Sequence, residues 1–133
     1  MEPLELAAHE LDRLCSRLRS IGPGRLASAA EPPFGTRASA IRHLVRELVV
    51  LADETLPHGY PPPVEDLMLG DQLAVVGAEA VAAMRSRGED PVWMLGEVVL
   101  HRYDLDGTLP RGDVAKALGD GALVANLRTR CPA

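Results

Sequence analysis

Aromatic residues and lysine are scarce in this sequence, and both shortages narrow the classes of protein to which it can belong. Only 3% of the 133 residues are aromatic although 47% are hydrophobic, so we expect a core of Leu, Val and Ala. This composition favours helices, because aromatic and β-branched residues are expected in a sheet. Lysine occurs once, at Lys116, against thirteen arginines, which we interpret as the codon bias of a GC-rich genome.

Basic charge, paired cysteines and long apolar runs are lacking as well. The net charge is −5, whereas nucleic-acid binding requires a basic stripe, so we expect no nucleic-acid partner. Cys15 and Cys131 form no recognisable pattern, and free thiols in a reducing cytoplasm are a simpler expectation than a disulfide. The N-terminus lacks a signal-peptide pattern, and no apolar run approaches the ~18 residues of a membrane span. We therefore expect a cytoplasmic protein without membrane contact.

Helical periodicity recurs in four segments, which together predict one all-α domain over residues 1–133. The first segment contains Leu11, Leu14 and Leu18 and ends at "SIGPG", before a loop over 25–36. Thr36 is the predicted N-cap of a second helix over 37–55. A third helix lies within 64–87, after the connector "LPHGYPPP". Asp90 and the proline after it predict the start of the fourth helix.

A last segment, "DVAKALGDGALVANL", has helical spacing interrupted by two glycines. It predicts a weak or broken fifth helix at the C-terminal end. Four substantial helices joined by loops long enough to bridge them are typical of a four-helix bundle. The predicted fold is therefore an all-α four-helix bundle with a short fifth helix.

The stretch "HRYDLDGTLP" contains "DLDGTL", which resembles the nucleophile motif of haloacid-dehalogenase-type phosphatases. That motif requires a preceding strand and a doubly wound α/β domain, but only 27 residues follow Asp106. A calcium loop is disfavoured because Ala115 stands where the bidentate Glu is needed. We therefore interpret "DLDG" as the C-terminal end of a helix with a glycine stop, and keep a phosphatase fragment as a remote alternative.

Glu97 and His101 are four residues apart and therefore share one helix face. A helical projection places Trp93, Met94, Leu100 and Asp104 on the same side, so we expect this face to be partly buried. Burying a carboxylate is costly unless a cation or several donors satisfy it, and a metal ion is one such cation. An ordinary surface i,i+4 pair is the alternative that spacing alone favours.

Three other histidines, His9, His43 and His58, are the candidates for a third ligand. His43 lies in the second helix, but the projection places it on the side of Glu47 and Val50, where periodicity alone predicts a solvated side chain. His58 lies in the proline-rich connector, and His9 falls on the polar face of the first helix.

Three segments resemble the DinB-like, mycothiol-dependent maleylpyruvate isomerase N-terminal family, in order and at the right spacing. "FGTRASAIRHLVRELVVLADE" is similar to its second helix, which carries a histidine in an "xHL" setting after a Gly-Trp-Thr lead-in. "GDQLAVVGAEAVAAM" resembles its third helix. "GEVVLHRYDLDG" is similar to its fourth-helix signature: Glu, three residues, His, then aromatic-Asp-Leu.

The resemblance implies a DinB-like bundle in which His43, Glu97 and His101 bind a divalent metal. Two nitrogens and one carboxylate oxygen with an open fourth position form a catalytic zinc arrangement. The thiol implied is mycothiol, used to isomerise a small electrophile or to conjugate with it. Asp104, nearly one turn after His101, is either a partner that orients an imidazole or a helix-end carboxylate in water.

The sequence departs from the family pattern in three ways. It contains no counterpart of the C-terminal domain that many members carry, which leaves substrate binding open. Phe34 precedes Gly-Thr where the family places Trp after Gly, and Tyr103 stands where Trp is common. Two functions therefore remain: a metal-dependent thiol transferase or isomerase, and a non-catalytic bundle that binds a metal, a small ligand or a protein. A second copy of the chain is a further predicted partner.

Overall fold

The computed structural model describes residues 2–30, 34–52 and 61–119, and over these ranges the chain is all-α. The one β contact in the described residues is an isolated antiparallel bridge between Ala29 and Thr36. Six α-helices follow one another along the described chain: α1 Pro3–Ser20, α2 Pro23–Ala27, α3 Arg37–Ala52, α4 Leu69–Arg87, α5 Val92–Asp106 and α6 Gly112–Leu118.

Four long helices enclose the core, since α1 packs against α4 and α5, and α3 packs against the same two helices. Most buried side chains are those of Leu, Val and Ala, so the core is aliphatic, as the composition predicts. Buried residues from all four long helices form this core, including Leu14, Leu44, Leu48, Leu73, Ala80 and Val98.

The contact between α1 and α4 is close enough to require a glycine. A Cβ atom added to Gly70 would lie 2.9 Å from Cγ of Arg19 and 3.0 Å from the carbonyl oxygen of Cys15. Contacts of that length would force one helix to move, so the absence of a side chain at Gly70 sets how closely these helices approach.

The predicted cap at Thr36 is present, while the start predicted at Asp90 is shifted by one residue, with Pro91 as the N-cap of α5. The Thr36 hydroxyl oxygen accepts a hydrogen bond from the backbone N–H of Ser39 at 3.1 Å, which confirms Thr36 as an N-cap. A carboxylate oxygen of Asp90 accepts from the N–H of Val92 at 3.0 Å. The fourth long helix begins one residue later than predicted, at Val92, a difference within the usual spread of helix boundaries.

The main departure from the predicted helices is α2, which forms in a region predicted as a helix end and a loop. Pro23 occupies the first turn of this helix, where its fixed φ and missing N–H are tolerated. Leu26 is fully buried, so the short helix gains a core contact that local sequence does not reveal. The loop prediction is therefore wrong for residues 25–27.

The other boundaries match the predictions within the described residues. The second predicted helix is α3, and its predicted last residues, 53–55, lie outside the described residues together with the first part of the connector. A short 3₁₀ turn, Asp66–Met68, precedes α4. The predicted fifth helix is present as α6, and the rest of its segment, from residue 120 onward, lies outside the described residues.

The segment formed by the 3₁₀ turn and α4, Asp66–Arg87, is long and apolar enough to cross a membrane by length and composition alone. It has 22 residues, and its most apolar window has a mean hydropathy of 1.4. The sequence contains no long uninterrupted apolar run, so the expectation drawn from such runs did not single out this segment. The buried face of α4 packs against α1 and α3.

Candidate functional site

The motif "DLDG" forms the C-terminal end of α5, as the helix-end interpretation predicts. Gly107 adopts a left-handed conformation with φ 73°, and its N–H donates to the carbonyl of Tyr103 at 2.7 Å. This is the glycine stop that favours a residue without Cβ. Because residues 92–106 are helical, the strand that a phosphatase motif requires does not precede Asp104.

Arginines from earlier in the chain hold this end of α5. The Nε atom of Arg25 donates to the carbonyl of Leu105, and that of Arg37 donates to the carbonyl of Asp104, both at 2.8 Å. The last carbonyls of a helix lack partners within it, and cations are favoured there. These hydrogen bonds therefore fix the end of α5 against α2 and α3, a connection that the sequence analysis missed.

Glu97 and His101 lie one turn apart on α5, as their spacing predicts. The Oε2 atom of Glu97 is 3.8 Å from Nε2 of His101, and the side chains are 29% and 7% exposed. Two ligands of one tetrahedral zinc ion, each about 2.1 Å from it, lie roughly 3.4 Å apart. The separation of these two atoms is thus close to that of ligands sharing an ion, and beyond direct hydrogen-bond range.

Phe34 connects this pair to His43 on α3. The Phe34 ring centroid lies 5.0 Å from that of His43 and 6.0 Å from that of His101. Phe34 lies two residues before Thr36, the residue that forms the β bridge with Ala29. The structure therefore brings both imidazoles near one aromatic ring, a role that the irregular position of Phe34 in the lead-in did not indicate.

The side chain of His43 has a partner on its own helix. Its Nε2 atom lies 2.5 Å from Oε1 of Glu47, one turn later, and the imidazole is 43% exposed. Within the ranges that the structure describes, no three His, Cys, Asp or Glu side chains are grouped to hold a metal ion. The donor types of His43, Glu97 and His101 fit zinc, and the three-residue ligand set stays a prediction.

The predicted partial burial of the Glu97 face is confirmed for Met94, Glu97 and His101, whereas Trp93 on the same face is 45% exposed. The Glu97 face therefore lies at the edge of the side that α5 turns to the core, with Met94 and His101 buried and Trp93 more open to solvent. The buried side is centred on Val98 and includes Met94 and Arg102. Trp93 is apolar yet lies in the first turn of α5, away from that centre.

The remaining predicted residues lie as follows. His9 is exposed, as predicted, while His58 and Cys131 lie outside the described residues. Asp104 is half-buried and accepts the Arg37 hydrogen bond through its main-chain carbonyl, so its predicted role toward an imidazole stays a prediction.

A buried ion pair between α1 and α5 was missed by the sequence analysis. The Arg102 guanidinium donates to Oε2 of Glu10 at 2.6 Å, and Arg13 donates to the other carboxylate oxygen at 3.2 Å. Burial raises the pKa of Glu10 above its ordinary value, although Arg102 acts in the opposite direction. Glu10 and Arg102 are 92 residues apart, and helical spacing within either segment could not have paired them.

Cys15 is a free, buried cysteine on α1. Burial raises the pKa of its thiol to about 11, so the thiol remains protonated near neutral pH and is a poor nucleophile. It lines a cavity of about 310 Å³ between α1 and α4, together with Leu11 and Gly77. This cavity lies on the α1–α4 contact, whereas His43 and His101 are carried by α3 and α5.

The candidate site is thus defined by two imidazole–carboxylate pairs, His43–Glu47 on α3 and Glu97–His101 on α5, with Phe34 against both imidazoles. The second pair was predicted, and the first has the same i,i+4 spacing and could have been found by the same rule. Comparisons of the chain with protein-family models, with curated proteins and with solved structures found no match.

Proposed function

We propose that this protein is a DinB-like four-helix bundle that binds a divalent metal, zinc, through His43, Glu97 and His101. Its reaction is the transfer or isomerisation of a small electrophile by a low-molecular-weight thiol such as mycothiol. The observation that carries the proposal is the 3.8 Å separation of Glu97 and His101, on a face where Phe34 also contacts His43.

The chemistry of the side chains assigns a role to each residue of the proposed site. Zinc, when bound, lowers the pKa of a coordinated thiol or water so that a nucleophile is available near neutral pH. Glu97 and His101 supply the donors on α5, and His43 supplies the donor on α3. Cys15 is protonated and buried, so the reacting thiol in this proposal is a cosubstrate.

A non-catalytic bundle is the second candidate function, and one observation favours it. The Nε2 atom of His43 is already in contact with Glu47, and the described residues contain no group of three metal-binding side chains. In this alternative, the bundle binds a metal, a small ligand or a protein partner without turnover, as apolar helix faces commonly do.

Zinc content separates these proposals when wild-type protein is compared with two histidine variants. We expect one zinc ion per chain in the wild type. His101→Ala should weaken zinc binding by more than about a hundredfold, beyond the range of outer-shell substitutions. The exposed His9 provides the matched control, and His9→Ala should bind zinc like the wild type.

The outcomes discriminate clearly. A folded wild-type protein that cannot bind zinc contradicts the metal-dependent function. Zinc binding without turnover of mycothiol and maleylpyruvate supports the non-catalytic alternative. Sedimentation of the same preparations measures the oligomeric state, for which we propose a homodimer.

A further inference from the structure

The two imidazole–carboxylate pairs have the same helical spacing but different geometry. His43 and Glu47 are 2.5 Å apart on α3, whereas Glu97 and His101 are 3.8 Å apart on α5. We propose that Glu47 is a positioning residue, which holds Nε2 of His43 and leaves Nδ1 as the nitrogen that binds the metal. This inference rests on the proposed function.

The His43–Glu47 distance indicates a direct hydrogen bond and not two ligands of one ion. Two ligands on a tetrahedral zinc ion lie about 3.4 Å apart, and the Nε2 and Oε1 atoms are closer than that. A carboxylate oxygen accepts a hydrogen bond from an imidazole N–H, so this contact favours the tautomer that carries its proton on Nε2. In the neutral ring the other nitrogen, Nδ1, then carries the lone pair that a metal requires.

Two contacts restrain the orientation of the His43 ring. Glu47 lies one helical turn further along α3, where i,i+4 side chains meet, and its side chain is only 28% exposed. Phe34 packs on the same imidazole with an interplanar angle of 49°. A ring held by a carboxylate at one edge loses little further freedom when it binds a metal, which is the usual effect of an outer-shell partner.

Zinc affinity measured by chelator competition tests the inference in Glu47→Gln, with His43→Ala as the reference for loss of a ligand. Glutamine keeps the size of the side chain but removes the charge. We expect Glu47→Gln to bind Zn²⁺ about 10- to 100-fold more weakly than wild type, and His43→Ala to lose more. Glu5→Gln, on the exposed side of α1, is the matched control and should change nothing.

Long-range ¹H–¹⁵N NMR of the metal-free protein gives a readout that a merely structural role would not move. With the ring in its neutral form, we expect the His43 proton on Nε2 in the wild type. In Glu47→Gln this preference should weaken, because the amide can donate to Nε2 as well as accept from it.

Several results would overturn the inference. The first is a His43 proton on Nδ1 in the wild type. The second is zinc binding by Glu47→Gln that is as tight as, or tighter than, that of the wild type. The third is a loss of zinc affinity in Glu47→Gln as complete as that in His43→Ala. Zinc binding by the wild type together with any of these results leaves the proposed function standing. A wild type that binds no Zn²⁺ overturns the proposed function and the inference with it.

Discussion

Two neighbouring residues of α5, His101 and Arg102, are both buried but belong to polar pairs of opposite character. Arg102 is in direct contact with Glu10 at 2.6 Å, and both side chains are almost completely buried. His101 lies 3.8 Å from a carboxylate, Glu97, that is partly open to solvent. The first pair is closed and holds α1 to α5, while the second is open to solvent at its carboxylate and lies within one helix.

Removing the cation of the closed pair should have the largest effect on stability. Arg102→Met removes the buried counter-charge of the Glu10 carboxylate and leaves only the more exposed Arg13 beside it, and breaking a buried pair in this way typically costs about 3–5 kcal/mol. Urea unfolding at neutral pH measures this loss. The double variant Glu10→Leu/Arg102→Met should recover most of it, because well-packed apolar residues replace both charges. Equal stability of the single and double variants would contradict a coupled pair.

Arg37 should have the next largest effect, because it anchors the end of the helix that carries the candidate site. Arg37→Met removes the donors to the Asp104 carbonyl and the Ser28 hydroxyl, and we expect a loss of about 1.5–3 kcal/mol. Arg85→Met, at an exposed position of α4, is the control and should stay within about 0.5 kcal/mol of wild type. If the two variants unfold alike, the hydrogen bonds to α5 carry little stability.

The closed pair should also give the protein a distinctive pH dependence. The folded-state pKa of Glu10 is raised above about 4.5 by burial, with Arg102, Arg111 and His9 opposing and Asp113 reinforcing the shift. The folded state therefore holds this proton more tightly than the unfolded chain, and its contribution is present below about pH 4.5 and lost as pH rises through the folded pKa.

Unfolding free energies across this range test the sign. Relative to Glu10→Gln, which cannot titrate, the stability of the wild type should fall as the pH increases above about 4.5. A relative stability that rises over the same range would show that Arg102 outweighs burial.

Substitution in the open pair, Glu97 and His101, should have the smallest effect on the free energy of unfolding. Glu97→Gln changes a side chain that is 29% exposed and 3.8 Å from its histidine, so we expect a change below about 1 kcal/mol in unfolding free energy. The same substitution should weaken zinc binding strongly under the proposed function. A loss of several kcal/mol in metal-free protein would place Glu97 in the same structural class as Glu10.

Local rules account for the parts of the fold that the sequence predicts correctly. Thr36 and Gly107 act on backbone groups within a few residues, so their roles as cap and stop are readable from neighbouring residues. The leucines that recur at helical spacing can also be recognised from the sequence, because each such stripe lies within a single helix. Leu26 shows the limit, because its burial depends on helices elsewhere in the chain and not on its own loop-like surroundings.

The candidate site was predicted less completely because its contacts cross between helices. Spacing indicated that Glu97 and His101 share a partly buried face, as they do, but it did not indicate that Trp93 on that face is 45% exposed. The contacts of Phe34 with two imidazoles join a residue that precedes α3 to side chains on two different helices. No periodicity within one helix contains that information.

Because Trp93 is partly exposed, its intrinsic fluorescence can report on its surroundings. It is the only tryptophan in the sequence, and it lies one helical turn before Glu97 on the same face of α5. Fluorescence excited selectively at tryptophan therefore arises from a single indole beside the candidate ligands. Events at Glu97 can be followed in real time through that emission, without attaching a dye or introducing a mutation.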